Sequence, residues 1–399
     1  MNLKILLLTQ NFPPDIGAAS FRMESLVKEL ANRNYEVEVL TAFPNRYNDL
    51  NITINDTFGP KVKITRIKNI KQSNSFIQRS FSYVEYFLKS YFLGKKKVKD
   101  VDIIIATSPQ ILTGFLGALL KKKNKTFILD VRDLWPDVMI DLGVTTRKSL
   151  LYKFLKHIEL YMYKKATSII VNSPAFIEHI HKYSNKRIDI ITNGLDDFIY
   201  QYFLEEKSQN PQKDKKIKIV YAGNLGIAQD VKILTEIQED ISENFEFYLI
   251  GNGSQKGEIE KAIKEKNIQN ILVYSSKERK ELLEFYRQAD AFFVHLKDIP
   301  MFKKTIPSKV FEYVATKKPV IYGLNGVAKE LMEELNAGYS FEAGNVNSLE
   351  ATLIHLKKDL EEGKWEYKDN KILKEKYLRS QLSKKFVDVI EEVFNETTE

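Results

Sequence analysis

The chain has 399 residues and a mass of 46.4 kDa, more than one hydrophobic core usually serves, so two domains are predicted. Its apolar fraction of 43% is enough for two cores, and the absence of cysteine excludes disulfides and thiolate metal sites. The excess of 61 Lys and Arg over 53 Asp and Glu gives a formal charge of +8, which favours phosphates, nucleic acid or an anionic membrane surface without choosing among them.

The first half of the chain alternates short apolar runs with stretches of helical spacing. Residues 4–8 form an apolar run, residues 23–31 carry apolar side chains at helical spacing, and residues 36–40 alternate as a strand does. This opening predicts one β-α-β unit of a parallel sheet. Residues 103–120 approach the length of a membrane span, but polar residues 107–110 interrupt them and predict a strand, a turn and a helix. Further strands are predicted at residues 62–67, 102–106, 126–131, 168–172 and 188–192.

The second half repeats this pattern after a polar passage at residues 205–218, which is predicted to link two domains. Residues 275–278 fit a capping box before a helix, and residues 378–394 predict one amphipathic helix. Strands are predicted at residues 217–221, 245–250, 271–274, 291–295, 319–322 and 339–342.

We therefore predict two α/β domains, residues 1–200 and residues 201–377, each built on a doubly wound sheet. In such sheets ligands collect at the carboxyl ends of the strands. A cleft is expected between two such domains, and this arrangement suits a transfer between two substrates.

Two loops with glycine follow predicted strands. Gly17 precedes two alanines, so backbone can approach a phosphate or sugar closely there, although a plain tight turn explains this loop equally well. This loop is not Gly-x-Gly-x-x-Gly, which argues against a nicotinamide dehydrogenase. The loop with Gly223 and Gly226 suits a pyrophosphate, and a second glycine turn at residues 251–253 leaves open which of the two is structural.

A charged loop at residues 130–137 follows a predicted strand and therefore lies at a sheet edge. Arg132 and Asp133 suit acceptor binding and proton handling. A salt-bridged loop around a packed Trp135 is the alternative. A divalent-metal site is more remote, because no compact Asp-x-Asp pair stands at a strand end.

A helix with one lysine and one glutamate is predicted directly before the strand at residues 319–322. The amides of its first turn, with Lys309 beside them, suit a phosphate, and Glu312 can accept hydrogen bonds from sugar hydroxyls. These are the parts of a nucleotide-sugar site. An ordinary amphipathic helix with Glu312 on its solvated face is the alternative.

Aromatic and basic residues interleave at residues 76–99 and 150–165. Such helices can lie on an anionic leaflet, but an aromatic stripe at helical spacing is also typical of a core with solvated lysines. His157, His179 and His181 have no predicted metal-ligand partners.

Together these motifs resemble family 4 glycosyltransferases with the GT-B fold, over essentially the full chain. The finer pattern resembles the branch that contains bacterial N-acetyl-L-fucosamine transferases of O-antigen and capsule synthesis. The resemblance is carried by Pro13-Pro14-x-x-Gly17, Arg132-Asp133-Leu134-Trp135-Pro136, Asn172-Ser173, Asn193-Gly194-Leu195-Asp196, Gly223-Asn224-Leu225-Gly226-x-x-Gln229, Pro307-Ser308-Lys309-x-x-Glu312-Tyr313 and Lys318-Pro319-Val320.

The resemblance implies a retaining transfer from a nucleotide sugar, usually a UDP-sugar, without a metal or other cofactor. It places the nucleotide on the second domain and the acceptor on the first, with the C-terminal helix, residues 378–399, packing back on the first domain. It implies catalytic roles for Lys309, Asp133 and Arg132. The donor-binding residues that it implies are Gly17, Gly223, Asn224, Gly226, Gln229, Ser276, Lys304, Ser308, Lys309 and Glu312.

Four positions depart from the family pattern. Lys304 replaces a glutamate that contacts donor-sugar hydroxyls in the family, which favours a modified amino or deoxy sugar over a common hexose. Asn224 and Gln229 stand where many relatives carry a basic pair, so Lys309, with Lys304, is expected to supply the charge that stabilises the departing diphosphate. Arg132 takes the place of a common histidine.

We therefore expect an enzyme at the cytoplasmic face of the membrane that extends a lipid-linked saccharide for a surface polysaccharide. An anionic membrane surface is an expected partner and nucleic acid is not, because the chain has no recognised nucleic-acid motif. The alternatives are a nucleotide-sugar epimerase of the same fold and an inactive paralogue that acts as an assembly subunit.

Overall fold

The computed structural model describes residues 3–44, 56–69, 76–108, 110–204, 215–367 and 371–398. The chain forms two compact units. The first comprises Met1–Asn193 with Arg379–Glu399, and the second comprises Gly194–Leu378. The predicted linker at residues 205–218 lies mostly outside the described residues.

The first unit contains a seven-stranded parallel sheet in the order β3-β2-β1-β4-β5-β6-β7. Its central strands are buried on both faces, which explains their continuous apolar sequence. The strands are β1 (Lys4–Leu8), β2 (Glu36–Ala42), β3 (Val62–Ile67), β4 (Ile103–Ser108), β5 (Thr126–Val131), β6 (Ser168–Val171) and β7 (Ile188–Ile190). The helices are α1 (Ala18–Asn32), α2 (Phe76–Lys97), α3 (Ile111–Leu120), α4 (Asp137–Asp141), α5 (Leu150–Lys165) and α6 (Ala175–His181).

The second unit contains a six-stranded parallel sheet in the order β10-β9-β8-β11-β12-β13. The strands are β8 (Ile217–Ala222), β9 (Phe245–Ile250), β10 (Ile271–Tyr274), β11 (Ala291–His295), β12 (Val320–Gly323) and β13 (Gly338–Ser340). The helices are α7 (Asp197–Leu204), α8 (Glu239–Ser242), α9 (Lys256–Glu265), α10 (Arg279–Gln288), α11 (Lys309–Ala315), α12 (Val327–Glu334), α13 (Val346–Glu361) and α14 (Lys371–Tyr377).

Residues 103–120 form β4 and α3, as the polar interruption predicts. None of the helices in the described ranges is both long and apolar enough to cross a membrane.

The predicted capping box at residues 275–278 is wrong. The residue before α10 is Glu278, and its side chain makes no capping hydrogen bond. Ser275 belongs instead to the loop after β10, where its Oγ accepts a hydrogen bond from Lys256 Nζ at 3.1 Å. Residues 275–278 therefore match the sequence of a capping box but do not cap α10.

The predicted boundary after residue 200 falls inside α7, which lies entirely in the second unit. Ile199 and Phe203 of α7 are buried in the same core as Val310 and Phe311 of α11. Burial of these side chains fixes α7 to the second unit.

The C-terminal helix, α15 (Arg379–Thr398), packs on α1 of the first unit, as the resemblance implies. Phe386 and Ile390 share a core with Met23 and Val27. At the rim of this contact Arg33 pairs with Asp388 at 2.6 Å and with Glu391 at 2.9 Å. The chain therefore crosses from the second unit back to the first at its end.

A buried ion pair joins Arg22 of α1 to Asp130, near the carboxyl end of β5 in the first unit. Arg22 donates two hydrogen bonds to Asp130, at 2.8 and 3.3 Å, and a third to the carbonyl of Thr192 at 2.7 Å. Thr107 Oγ1 donates to the same carboxylate at 2.8 Å. Because both charged side chains are almost completely buried, the ion pair is stable only with this full set of hydrogen-bond partners.

We expect Arg22→Met to lower the free energy of unfolding by about 3–5 kcal/mol, because Asp130 would remain buried without a countercharge. The matched control is Lys28→Met on the same helix. Lys28 pairs with Glu24 at 2.6 Å on the exposed surface, and its loss should cost about 0.5 kcal/mol or less. Urea denaturation of both variants checks this, and equal losses would contradict the structural role of the buried pair.

Candidate functional site

The start of α11 lies at the carboxyl edge of the second sheet, because this helix connects β11 to the parallel strand β12. Lys309 is the first residue of α11, and Glu312 follows within the first turn. The helix and the strand behind it agree with the sequence prediction.

Glu312, Lys309 and Tyr286 form one hydrogen-bonded cluster at this edge. Lys309 Nζ and the hydroxyl of Tyr286 both donate to Glu312 Oε2, at 2.9 and 3.1 Å, and Lys309 also donates to the Tyr286 oxygen at 3.3 Å. The Glu312 side chain is 12% exposed and that of Lys309 is 30% exposed. The carboxylate is thus held in place while the ammonium group stays accessible to a ligand.

Tyr286 was not predicted as a functional residue. Burial, followed by the charge of Glu312, raises the pKa of Tyr286 well above its ordinary value, so the hydroxyl stays protonated and donates a hydrogen bond to the carboxylate. In the sequence this residue is indistinguishable from the apolar face of α10. Its contact with Glu312 spans 26 residues and depends on the tertiary fold.

The loops after β8 and β9 pack directly against each other. A Cβ on Gly251 would lie 1.8 Å from the carbonyl oxygen of Gly223, and one on Gly253 would lie 2.2 Å from that of Leu225. These clashes involve backbone, which cannot move aside. Of the two glycine turns, the one at residues 251–253 therefore has a structural role.

Gly223 and Gly226 lie in the loop after β8 together with Asn224 and Gln229. The Asn224 amide donates to Gln229 Oε1 at 2.9 Å on the exposed surface. A Cβ on Gly226 would come within 2.3 Å of that amide nitrogen, so glycine permits this pair to form. This edge therefore presents both polar side chains and backbone that no side chain covers.

The remaining residues of the predicted donor site follow the same edge. Ser276 lies after β10, and its Oγ accepts from Asn252 at 3.2 Å. Ser308 precedes α11 without a capping side-chain bond, and Lys304 ends the short 3-10 helix Phe302–Lys304. Gly17 belongs to the first unit, and its role in donor binding stays a prediction.

His295, at the end of β11, is a second residue that the sequence did not identify. Its Nε2 accepts from the backbone N–H of Gly344 at 3.0 Å, so its Nδ1 carries the proton and donates to the carbonyl of Gln229 at 3.0 Å. Burial lowers its pKa and keeps this neutral form. His295 therefore fixes the end of the loop that contains Gly226.

In the first unit, Arg132 and Asp133 follow β5 at the carboxyl edge of the sheet. Arg132 Nη2 donates to Asn193 Oδ1 at 3.0 Å, whereas its Nε and Nη1 are buried without a hydrogen-bond partner in the described part of the chain. Burial lowers the pKa of Arg132 to about 10. Burial also raises the pKa of Asp133 to about 6, although the charge of Arg132 acts in the opposite direction. A carboxyl group with this pKa can exchange a proton near neutral pH.

Gly17 stands at the start of α1 with φ of 149°, a value that favours glycine. No atom lies within 4 Å of the position that a Cβ would take. The space beside this helix start is therefore open, and packing does not require the glycine.

One group in the described residues has the geometry to hold a metal ion, namely Asp137, Glu159 and His179. His179 Nε2 lies 3.0 Å from Glu159 and 3.5 Å from Asp137, so the expectation that His179 has no such partners is wrong. Lys156 Nζ already lies 2.5 Å from Glu159 and 3.3 Å from Asp137. The ammonium group thus supplies the positive charge that these carboxylates need.

Two family models match the chain, one on each half. Residues 19–197 match the model described as Glycosyltransferase Family 4. Residues 203–371 match the model described as Glycosyl transferases group 1.

Two curated proteins are similar to most of the chain. An uncharacterized glycosyltransferase of Methanocaldococcus jannaschii is 24% identical over 358 residues, which cover 88% of each chain. The probable glycosyltransferase WbjE of Pseudomonas aeruginosa is 21% identical over 285 residues, which cover 67% of this chain and 69% of WbjE.

Solved structures with a similar fold cover nearly the whole chain. Sucrose-phosphate synthase of Thermosynechococcus elongatus has a TM-score of 0.75 at 15% identity and covers 99% of this chain and 100% of its own. HepE of Anabaena, in complex with UDP and glucose, has a TM-score of 0.68 at 13% identity, with 98% and 100% covered. WaaG, a glycosyltransferase involved in lipopolysaccharide biosynthesis, has a TM-score of 0.67 at 14% identity, and the match covers 97% of this chain and 99% of WaaG. At these identities the likeness establishes the fold, which is GT-B.

The raised pKa of Asp133 predicts a specific pH dependence of stability. The folded carboxyl group binds its proton more tightly than the unfolded chain does, so its contribution is present below about pH 4 and is lost as the pH rises through about 6. Asp133→Asn has no carboxyl group that can ionise. Its free energy of unfolding, relative to that of wild type, should therefore rise by up to about 3 kcal/mol as the pH increases from about 4 to about 6.

Thermal unfolding of the wild type and the variant across this range measures the difference. Asp100→Asn, which removes a carboxyl group at an exposed position of the same unit, is the control. A difference between Asp133→Asn and wild type that stays constant across the range would show that Asp133 does not titrate in this window.

Proposed function

Because this chain is a glycosyltransferase with the GT-B fold, we propose that it transfers a sugar from a UDP-sugar to a lipid-linked saccharide in surface-polysaccharide biosynthesis. The cluster of Lys309, Glu312 and Tyr286 is the observation that carries the proposal. It combines an accessible cation with an anchored carboxylate, and these two groups match the two parts of a nucleoside diphosphate.

In this proposal Lys309 binds the diphosphate and Glu312 binds the ribose. The Lys309 ammonium neutralises charge that develops on the departing nucleotide, where such a contact lowers the barrier most. Glu312 accepts both protein hydrogen bonds on Oε2, so its second oxygen is the acceptor for a ribose hydroxyl. The UDP complex of HepE, a protein of the same fold, supports a uridine nucleotide as the donor's leaving group.

The donor sugar is proposed to be an N-acetylated amino-deoxy sugar. Lys304 stands where the resemblance implies a glutamate, whose carboxylate would accept hydrogen bonds from the hydroxyls of a common hexose. An ammonium group can only donate, so it suits a carbonyl oxygen such as that of an acetamido group. Transfer with retention is part of the proposal, without a metal and with the donor's phosphate assisting deprotonation of the acceptor.

The acceptor is proposed to bind to the first unit at Arg132 and Asp133. Asp133, whose pKa burial raises to about 6, is the group there that can handle a proton near neutral pH. A lipid-linked acceptor places the reaction at the inner face of the cell membrane. The similarity of fold to WaaG supports a role in polysaccharide biosynthesis.

We expect Lys309→Ala and Glu312→Ala each to lower turnover by one to several orders of magnitude, because each removes a charge-assisted contact with the nucleotide. UDP binding by calorimetry and UDP release with membranes that contain lipid-linked saccharides measure the two effects. Lys261→Ala and Glu265→Ala are the controls, since they break a pair of 3.6 Å in the same unit whose side chains are 73% and 63% exposed. Wild-type binding and turnover in Lys309→Ala and Glu312→Ala would remove the assignment.

Thermal shift with a panel of nucleotide sugars tests the donor class. UDP-linked acetamido-deoxy sugars should raise the Tm more than UDP-hexoses at equal concentration, because a ligand that binds only the folded state stabilises it. Lys304→Glu should reverse this order. An unchanged order in Lys304→Glu would exclude Lys304 from sugar recognition, and conversion of the donor without an acceptor would favour an epimerase instead.

A further inference from the structure

Three helices lie side by side on one face of the first sheet. Phe87 of α2 stacks on Phe115 of α3 with the ring centroids 5.7 Å apart, and Phe115 contacts Tyr161 of α5 edge-on with the centroids 5.9 Å apart. Glycines allow the helices to approach closely, since a Cβ on Gly94 would lie 2.5 Å from Leu120, and one on Gly114 would lie 2.8 Å from Met162. The three helices form one continuous layer, which we call the α2-α3-α5 face.

The outer surface of this face carries large apolar side chains that the unit does not cover. Leu150 is 84% exposed and Phe92 is 67% exposed, and exposed apolar side chains that cluster in this way mark an interaction surface. The other exposed apolar residues of α2, α3, α5 and the loop before α5 are Phe81, Val84, Leu88, Leu119, Leu142, Val144, Leu151 and Phe154.

On α2 these residues form one stripe. Phe81, Val84, Leu88 and Phe92 recur at intervals of three or four residues, so they share one side of the helix. Tyr86, which points the other way, is buried and donates to the carbonyl of Leu40 at 2.8 Å. The inner side of α2 is therefore already packed, and the outer stripe is a second apolar surface.

Lysines accompany this apolar surface with few acids to balance them. The helices α2 and α5 each carry four lysines and one glutamate. Glu85 pairs with Lys89 at 2.5 Å, and Glu159 is buried in the cluster with Lys156 and His179. The outward charge is thus positive.

We propose that the α2-α3-α5 face docks on an anionic lipid bilayer. The apolar side chains enter the interface between headgroups and acyl chains, and the lysines contact the anionic headgroups at its surface. A protein partner would need a matching apolar and acidic surface, whereas an anionic bilayer supplies both components without any specific sequence. The physiological role of this docking rests on the proposed lipid-linked acceptor, but the docking itself can be tested without it.

The full-length protein should sediment with vesicles of phosphatidylcholine and phosphatidylglycerol but not with vesicles of phosphatidylcholine alone. Added salt should weaken this binding, because the surface attraction is screened. The double variant Leu150→Ser/Phe154→Ser should lower the partition coefficient at least tenfold, and Lys153→Glu/Lys164→Glu should lower it on anionic vesicles at low salt.

Matched controls come from the second unit. Ile354→Ser replaces an apolar side chain that is 55% exposed, and Lys261→Glu replaces a lysine whose side chain is 73% exposed. Both controls should bind vesicles as the wild type does. Thermal unfolding of all variants excludes loss of the fold as the cause.

Vesicle binding that is equal in the Leu150/Phe154 variant and the Ile354→Ser control would overturn the proposal. So would equal binding to neutral and anionic vesicles, or self-association through this face without vesicle binding in sedimentation velocity. UDP binding of these variants should equal that of the wild type, because the nucleotide residues lie in the second unit. A failure of the docking proposal is therefore distinguishable from a failure of the proposed donor site.

Discussion

The parallel direction of all strands in each sheet is the constraint on which both candidate sites depend. Parallel strands have their carboxyl ends at one edge, so the loops that follow them and the helices that lead to the next strand begin there together. In the second unit this brings Gly223, Ser276 and Lys309 to one edge, although 86 positions separate Gly223 from Lys309 along the chain. In the first unit the same rule places Arg132 beside Asn193.

Two ion pairs at these edges differ in burial, and this difference separates a structural pair from a binding pair. Arg22 and Asp130 are both almost fully buried, and neighbouring groups use their hydrogen-bonding capacity, so little remains for a ligand. Lys309 is partly exposed, and its partner Glu312 is anchored by Tyr286 through one oxygen. A ligand phosphate can approach Lys309 without removing a buried charge from its partner, which would cost several kcal/mol. The second pair is therefore the one suited to repeated binding and release.

Patterns that are local in sequence predicted the fold well. The strands at residues 245–250, 271–274 and 291–295 occur with the predicted bounds, because an apolar run with turn residues on either side defines each of them. Lys309 and Glu312 were predictable for the same reason, since they are three residues apart on one helix. Tyr286, His295, Arg22 and the partners of His179 were not, because their contacts join residues 20 to 170 positions apart. The capping box failed because its four residues fit a motif while the helix begins one turn later.

The loop with Arg132 and Asp133 connects the two proposed roles of the first unit. The chain leaves β5 at the carboxyl edge, passes through this loop, and begins α5 before it returns as β6, so the N-terminal part of α5 lies near that edge. Asp137 fixes the loop to the helix, since it accepts a hydrogen bond from Tyr152 at 2.7 Å. Leu150 and Phe154, in the same turns of α5, belong to the surface proposed to enter the bilayer. An acceptor with its lipid in the membrane would then present its saccharide at the edge where Arg132 and Asp133 lie. The connection from β5 through α5 to β6 would thus carry both the acceptor-binding residues and part of the membrane-docking surface.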